Sequence, residues 1–366
     1  MRLAEISVPK MSEEDIYGRE GDITNETIDE KITFCNAEEA IRASMNCAGK
    51  VLLVSDGSTI FSDAACSPRT ISVVFDGDCL PLFSMPDTIA KVLASGGEEL
   101  LRAARYFAEV RGIPCVLFPT DGALDGALDT KGKIFLAEEK LTVTLKEGEV
   151  LCDTALLSPT LSSSFGRLIL SQLAAIEARA VAAFRHEEEN FCEAEIPKEL
   201  TAEEIVRANA RQRVKECSCY AGEGVILAQL LRERGEKFPE WRAFLHLSSL
   251  YAAFFEKGKP RRYFTPDYRA RAILAGTEYT LTGVPSAEEY VIRAMTLERI
   301  RASFAKETLA LANEKEKFQR IIARLSDGVH VPLRGGDLSR LKILPEYAPN
   351  GLSAIIRDFG LMEWDL

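Results

Sequence analysis

Histidine is scarce in this chain: His186, His246 and His330 are the only three among 366 residues. None stands in an H-E-x-x-H pair. The chain also lacks a G-x-S-x-G elbow and a G-x-x-x-x-G-K-[ST] loop, so zincin, serine-hydrolase and P-loop chemistries have no signature here. Positive charge is in deficit too. Forty-five Lys and Arg face 56 Asp and Glu, a net charge of −11, which gives a general nucleic-acid or membrane-surface role no electrostatic support. No stretch offers the roughly 18 uninterrupted apolar residues of a spanning helix, and the opening "MRLAEISVPKMSEEDIYGREGD" has no apolar signal core. Paired cysteine is missing as well: nine Cys are scattered from Cys35 to Cys219 with no C-x-x-C, and Cys79, Cys115 and Cys152 sit in apolar runs as small hydrophobes. The expectation is an acidic cytoplasmic protein with a small-molecule partner, no nucleic acid and no membrane.

What is present divides the chain in two, as its length leads one to expect. Up to about residue 153, short apolar runs end in turn residues. "KVLLVSDGS" (50–58), "ISVVFDGD" (71–78), "TIAKVLASGG" (88–97), "IPCVLFPTDG" (113–122) and "GEVLCD" (148–153) read as strands, several closed by Asp-Gly or Gly-Gly. "EELLRAARYFAEVRG" (98–112) between two of them reads as an amphipathic helix closed by Gly112, so the sheet is parallel with crossover helices. "KGKIFLAEEKLTVTLKEG" (131–148) interrupts the alternation as an antiparallel hairpin. From about residue 160 the periodicity turns helical, with a capping-box pattern at Ser286 and Glu289. The expected architecture is an α/β N-terminal domain with a Rossmann-like parallel sheet, residues 1–157, and an all-α C-terminal domain, residues 158–366.

Ligands of an open parallel sheet bind beyond the carboxyl ends of its strands. The stretch "GIPCVLFPTDGALDGALDTKG" (112–132) places Asp121 and Asp125 at one such end, immediately after a buried strand. An acidic turn there either orients a substrate hydroxyl or braces a tight turn.

Three motifs in this order carry a family resemblance. "GIPCVLFPTDGALDGAL" is similar to the pattern P-T-x-x-S-x-D-G, "LCDTALLSPTLSSSFGRL" to a segment running from D-x-x-x-L-x-x-x-P to G-x-G-D, and "AIIRDFGLMEWDL" to a closing I-R-D run. Together they resemble the sn-glycerol-1-phosphate dehydrogenase branch of the iron-containing alcohol dehydrogenase and dehydroquinate synthase superfamily. The resemblance implies a dehydroquinate synthase-like fold, a nicotinamide cofactor, NAD or NADP, and a homo-oligomer. It also implies a divalent metal held by one Asp and two His. On this chain it puts Asp125 beside the polyol, and Asp56, Gly96, Gly97 and Thr120 on the cofactor side.

The chain departs from that family in two places. Glu98 and Glu99 follow Gly96 and Gly97 where relatives continue with glycine, and a carboxylate there opposes a pyrophosphate; acidic residues in a first helical turn also complement the dipole. The metal ligands map onto Arg167, Ser249 and a position near Arg269, and arginine does not ligate metals. No metal is expected there. If Arg167 and Arg269 converge, with Arg261, Arg262 and Arg271 nearby, they form an anion pocket; surface arginines on a drifting helix are the plainer alternative. His246, three residues before Ser249, is the histidine placed to face the cleft, and a packed imidazole is the plainer reading. Two functions follow from the resemblance: an NAD(P)-dependent polyol or polyol-phosphate dehydrogenase in which Asp125, Arg167, Arg269 and His246 do the chemistry, or a non-catalytic protein binding an anionic metabolite in the cleft.

Overall fold

The computed structural model describes residues 29–137, 139–185, 196–215, 222–257, 287–333 and 351–358. Eight strands come first: β1 Ile32–Phe34, β2 Lys50–Ser55, β3 Thr70–Val74, β4 Ile89–Gly96, β5 Cys115–Pro119, β6 Lys131–Leu136, β7 Glu139–Thr144 and β8 Glu149–Cys152. Among them lie α1 Ala37–Ser44, the single turns α2 Ser62–Ala65 and α3 Leu80–Phe83, and α4 Glu98–Arg111. After β8 the described residues are helical: α5 Thr154–Leu157, α6 Leu161–Arg185, α7 Ala202–Lys215, α8 Glu223–Glu233, α9 Pro239–Lys257, α10 Ala287–Asn313, α11 Lys315–Leu325 and α12 Leu352–Asp358. No described helix is long and apolar enough to cross a membrane.

Six strands form one sheet in the order β1-β8-β5-β4-β2-β3, every neighbouring pair parallel, while β6 and β7 make a separate antiparallel hairpin. Side chains alternate across it with the period of two that a strand imposes. Leu52, Val54, Val92, Ala94, Leu117 and Val150 face α4 and, beyond it, the helical half in one continuous core. Val51, Leu53, Leu93, Val116 and Phe118 face α1 and Phe61. Helix α4 is amphipathic and ends at Gly112, whose φ of 64° is the left-handed cap that glycine adopts without strain.

The structure adds β1 and α1, and it shortens or divides three runs read from sequence. The 71–78 run stops at Val74, because Asp76 and Asp78 accept backbone bonds in the turn around Gly77. The 202–235 run becomes α7 and α8, and the 286–325 run becomes α10 and α11 with a break at Glu314. Ser286, the basic stretch 259–271 and the tail from 359 lie outside the described residues.

The helical half encloses two carboxylates. Glu177 of α6 accepts from Tyr251 Oη and from the Glu223 backbone, both at 2.9 Å. Glu223 accepts from the Ser353 N–H at 2.8 Å and from the Ser353 hydroxyl, fastening α12 to α8. Both glutamates are fully buried. Burial pushes the Glu223 carboxyl up to about 7, against the hydrogen bonds from Ser353, which pull it down. A carboxyl raised in the folded state contributes stability that is complete below its ordinary value and is lost as pH rises through the raised one. We therefore expect Glu223→Gln, which keeps a neutral side chain, to gain stability relative to the wild type between about pH 5 and about pH 8. Urea midpoints across that range test this; parallel pH profiles for the two proteins refute it.

Candidate functional site

The topology fixes where a ligand crevice opens. From β2 the chain steps outward to β3, then returns across β2 to β4 and proceeds the other way through β5 and β8. The direction reverses between β2 and β4, and the crevice lies outside their carboxyl ends. Asp56 follows β2 there, and Gly96 and Gly97 lead from β4 into α4. A side chain on Gly96 would meet Leu100 Cδ1 at 2.8 Å and lie 3.6 Å from Asp56 Oδ2, so the Asp56 carboxylate stands close to the Gly96 backbone. Nothing comes within 4 Å of where a Gly97 side chain would begin. Gly97 caps α4 without a side chain, which leaves the first-turn N–H groups facing that open space. Ser95, fully buried one residue earlier, has no hydrogen-bond partner for its hydroxyl among the described residues. Thr120 joins the next strand to the crevice, its N–H 3.2 Å from the Gly96 carbonyl.

The carboxylates of α4 behave differently from the expectation of bare repulsion. Glu98 is ion-paired with Arg102 one turn on, and Arg102 also donates to Asp129, through Nε at 2.9 Å. Glu99 is exposed. Arg102 is thus the counter-charge to Glu98.

The turn after β5 lies directly over this helix terminus. Asp121 accepts from the Ala123 N–H at 2.9 Å, Leu124 has a φ of 58°, and Gly126 a φ of 77°. A side chain on Gly126 would overlap the Glu98 carbonyl, so glycine is required both for conformation and for the close approach. Beneath the turn, buried Arg105 donates to the carbonyls of Gly126 and Lys146, each at 2.9 Å.

Asp125, 5% exposed, emerges from this turn toward the helical half, where Arg167 Nη1 of α6 donates to its Oδ2. Burial draws the Arg167 pKa down, but Asp125, Asp121 and Glu240 together overcome this and raise it, so the guanidinium stays charged. Glu240, 3% exposed, comes from the first turn of α9 and is ion-paired with Arg232 of α8. It reaches this position because residue 166 is glycine: a side chain there would meet Glu240 Cβ at 2.7 Å. Asp121, Asp125, Arg167, Glu240 and Arg232 thus form one relay of alternating charge between the sheet and the helices.

The residues expected from sequence are distributed unevenly around this relay. Asp125 and Arg167 meet. Ser249 is exposed and nine residues from Glu240, about 180° around the helix, so the face of α9 turned to Arg167 is that of Glu240 rather than Ser249. His246 is about 120° away from Glu240 by the same geometry, and burial pushes its pKa down to about 4, leaving a neutral imidazole. Arg269, Arg261, Arg262, Arg271 and His186 lie outside the described residues, and His330 is exposed. The expected anion pocket loses one of its two cations, since Arg167 is engaged by Asp125. Among the described residues, no three His, Cys, Asp or Glu converge as metal ligands. The thiols of Cys79, Cys115 and Cys152 are pushed up to about 12 by burial and are not nucleophiles. Sequence reasoning missed Glu240, Arg232 and Ser95; only the Pro-Glu start of α9 gave a signal, and it marks a helix start, not a partner.

No family model and no curated protein matches the chain. Among solved structures it is similar to a probable glycerol dehydrogenase from Sinorhizobium meliloti 1021, at 14% identity over 81% of this chain and 96% of that one, with a TM-score of 0.41. It is similar to an iron-containing alcohol dehydrogenase from Corynebacterium glutamicum, at 14% identity over 85% and 96%, TM-score 0.40. A sulfoacetaldehyde reductase from Bifidobacterium kashiwanohense in complex with NAD+ follows at 12% identity over 85% and 95%, TM-score 0.39. These are dehydrogenases and a reductase, the kind of protein that the sequence motifs resemble. What this site does rests on its own side chains.

Gly126→Ala tests the geometry of the turn. The substitution combines a strained backbone with overlap on Glu98, and we expect a loss of about 2 kcal/mol or more in urea unfolding. An unchanged midpoint would show that the turn does not rest on α4.

Proposed function

We propose that this chain is a divergent member of the glycerol dehydrogenase and iron-containing alcohol dehydrogenase superfamily, an NAD(P)-dependent polyol dehydrogenase. In this reading two domains divide at 157/158, and homo-oligomers form. One observation carries it: the open switch-point crevice at Gly97 and the Asp125–Arg167 pair sit on turns of adjacent strands, joined by the Thr120–Gly96 bond. A dinucleotide fits the first of these. Its pyrophosphate would meet the first-turn N–H groups of α4 beside Gly96 and Gly97, with Asp56 on a ribose hydroxyl and Thr120 alongside. When bound, the nicotinamide supplies the hydride acceptor.

The divalent metal does not fit, because its place holds a guanidinium already paired with a carboxylate. The chain's own groups are then left with positioning and proton handling. Asp125 accepts the hydrogen bond of a substrate hydroxyl, and Arg167 faces the oxygen as it gains negative charge. His246, kept neutral by burial, carries no charge into this step.

The second reading is a non-catalytic protein that keeps the cleft and binds an anionic metabolite there, favoured by the exposed carboxylate of Glu99 in the first turn of α4, which opposes a pyrophosphate. Thermal denaturation with NAD+, NADP+, Zn2+ and glycerol phosphates separates the two. At about 100 times Kd a dinucleotide stabilises by roughly 2.7 kcal/mol, a shift of a few degrees. We expect that shift in the wild type and its loss in Gly97→Asp, which folds normally because nothing crowds that position. A response to phosphates alone, unaffected by Gly97→Asp, replaces the dehydrogenase reading with the second one.

A further inference from the structure

The turn at 119–129 raises a physical problem that its sequence does not answer. Asp125 is almost fully buried, and Asp121 stands four residues away on the same turn. Glu240 arrives from α9 and is buried as well. Asp125 and Glu240, buried on two different elements, are poorly solvated, and each such carboxylate needs a cation. A free dication is one answer. It requires donors that converge on one point at coordination distance, and among the described residues no such set exists. The carboxylates are instead arranged around a side chain. Arg167 donates to Asp125, and Asp121 and Glu240 are close enough to hold its charge.

We infer that Arg167 is a covalently tethered substitute for a metal dication: its guanidinium fixes the β5 turn to α6, and this place neither binds nor requires a divalent ion. The inference builds on the family reading proposed above, but its tests use neither dinucleotide nor activity. A tethered cation differs from an exchangeable one in being indifferent to chelators. It also differs from an anion-binding arginine, because its guanidinium is already engaged by Asp125, and among the described residues Asp121, Asp125 and Glu240 outnumber Arg167 and Arg232 by one charge.

The experiment uses the full chain, stripped of metal by dialysis against EDTA. Mn2+ is titrated and its free signal followed by electron paramagnetic resonance, and amide exchange of residues 122–128 is followed by mass spectrometry. For the wild type we expect no Mn2+ uptake and no change in exchange with EDTA, Zn2+ or inorganic phosphate. In Arg167→Ala the turn should exchange at least about tenfold faster, the fold-change of a 1.4 kcal/mol loss. The double variant Arg167→Met with Asp125→Leu, which removes both charges, should recover most of that protection. If Arg167→Ala does not fold, Arg167→Lys serves in its place, keeping the charge but losing the fork, with intermediate exchange expected. One equivalent of Mn2+ or Zn2+ bound by the wild type and lost in Asp125→Asn overturns the inference. So does a turn whose exchange is the same in every folded variant.

Discussion

Burying a carboxylate at the end of a parallel sheet is unfavourable by several kcal/mol unless a counter-charge meets it with good geometry. Asp125 imposes that constraint here, and much of the surrounding structure answers it. Arg167 must be delivered by α6, so that helix packs against the turn. Gly166, its neighbour, lets α9 come close enough to bring Glu240, and Glu240 in turn draws Arg232 from α8. The β5 turn, α6 and the neighbouring helices α8 and α9 are tied together by alternating charge. Such relays are poor sources of net stability and good sources of unique geometry, because each member is costly when its neighbour is misplaced. A turn placed in this way has one orientation.

The same turn is held from its other side. Asp129 accepts from the Gly126 N–H at 3.1 Å and from Arg102, which also carries Glu98, while Arg105 fastens the Gly126 carbonyl from below. One loop of about ten residues is therefore clamped between α4 and α6. Its α4 side borders the open space at Gly97, and its α6 side ends in the Asp125–Arg167 pair. Whatever occupies the first place lies next to the second, because Gly126, which allows the close approach to Glu98, belongs to the clamp. The juxtaposition of a nucleotide-type crevice with a polar pair thus follows from packing.

Much of this architecture could be read from the sequence. Buried parallel strands show themselves as apolar runs, and Asp-Gly or Gly-Gly punctuation gave the ends of β2, β4 and β5 to within a few residues. Helix α4 and the β6–β7 hairpin followed from periodicity and from Gly112. β1 was not legible, since three residues carry no period, although Asn36 and Glu39 mark the helix after it. The site was harder. Arg167 stood out as an arginine where a ligand was expected, but its partner is 42 residues away, and no local pattern announces a contact between a turn and a helix. On α9 the helix was evident and its facing residue was not: each residue of slip rotates the helix by about 100°, so a reading anchored on Ser249 selected the exposed face and passed over Glu240. The acidic start of α4 was misjudged for a related reason: taken one position at a time, Glu98 looked like a bare charge facing a pyrophosphate, whereas at i and i+4 it has Arg102 as its partner.

The described residues around Asp125 set a carboxylate against a guanidinium. What they offer is a fixed acceptor and a forked donor in contact. A guanidinium has five N–H groups, and the bond to Asp125 uses Nη1 alone. A hydroxyl entering beside the pair can donate to the carboxylate and accept from the fork at once, a two-point contact that neither partner provides alone. That arrangement stabilises an oxygen gaining negative charge less strongly than a dication would, because guanidinium charge is spread over three nitrogens and is half-claimed by Asp125. If hydride transfer occurs here, it runs with weaker electrostatic assistance than metal-bound chemistry provides, and the substrates that suit it are those whose hydroxyl proton departs most readily.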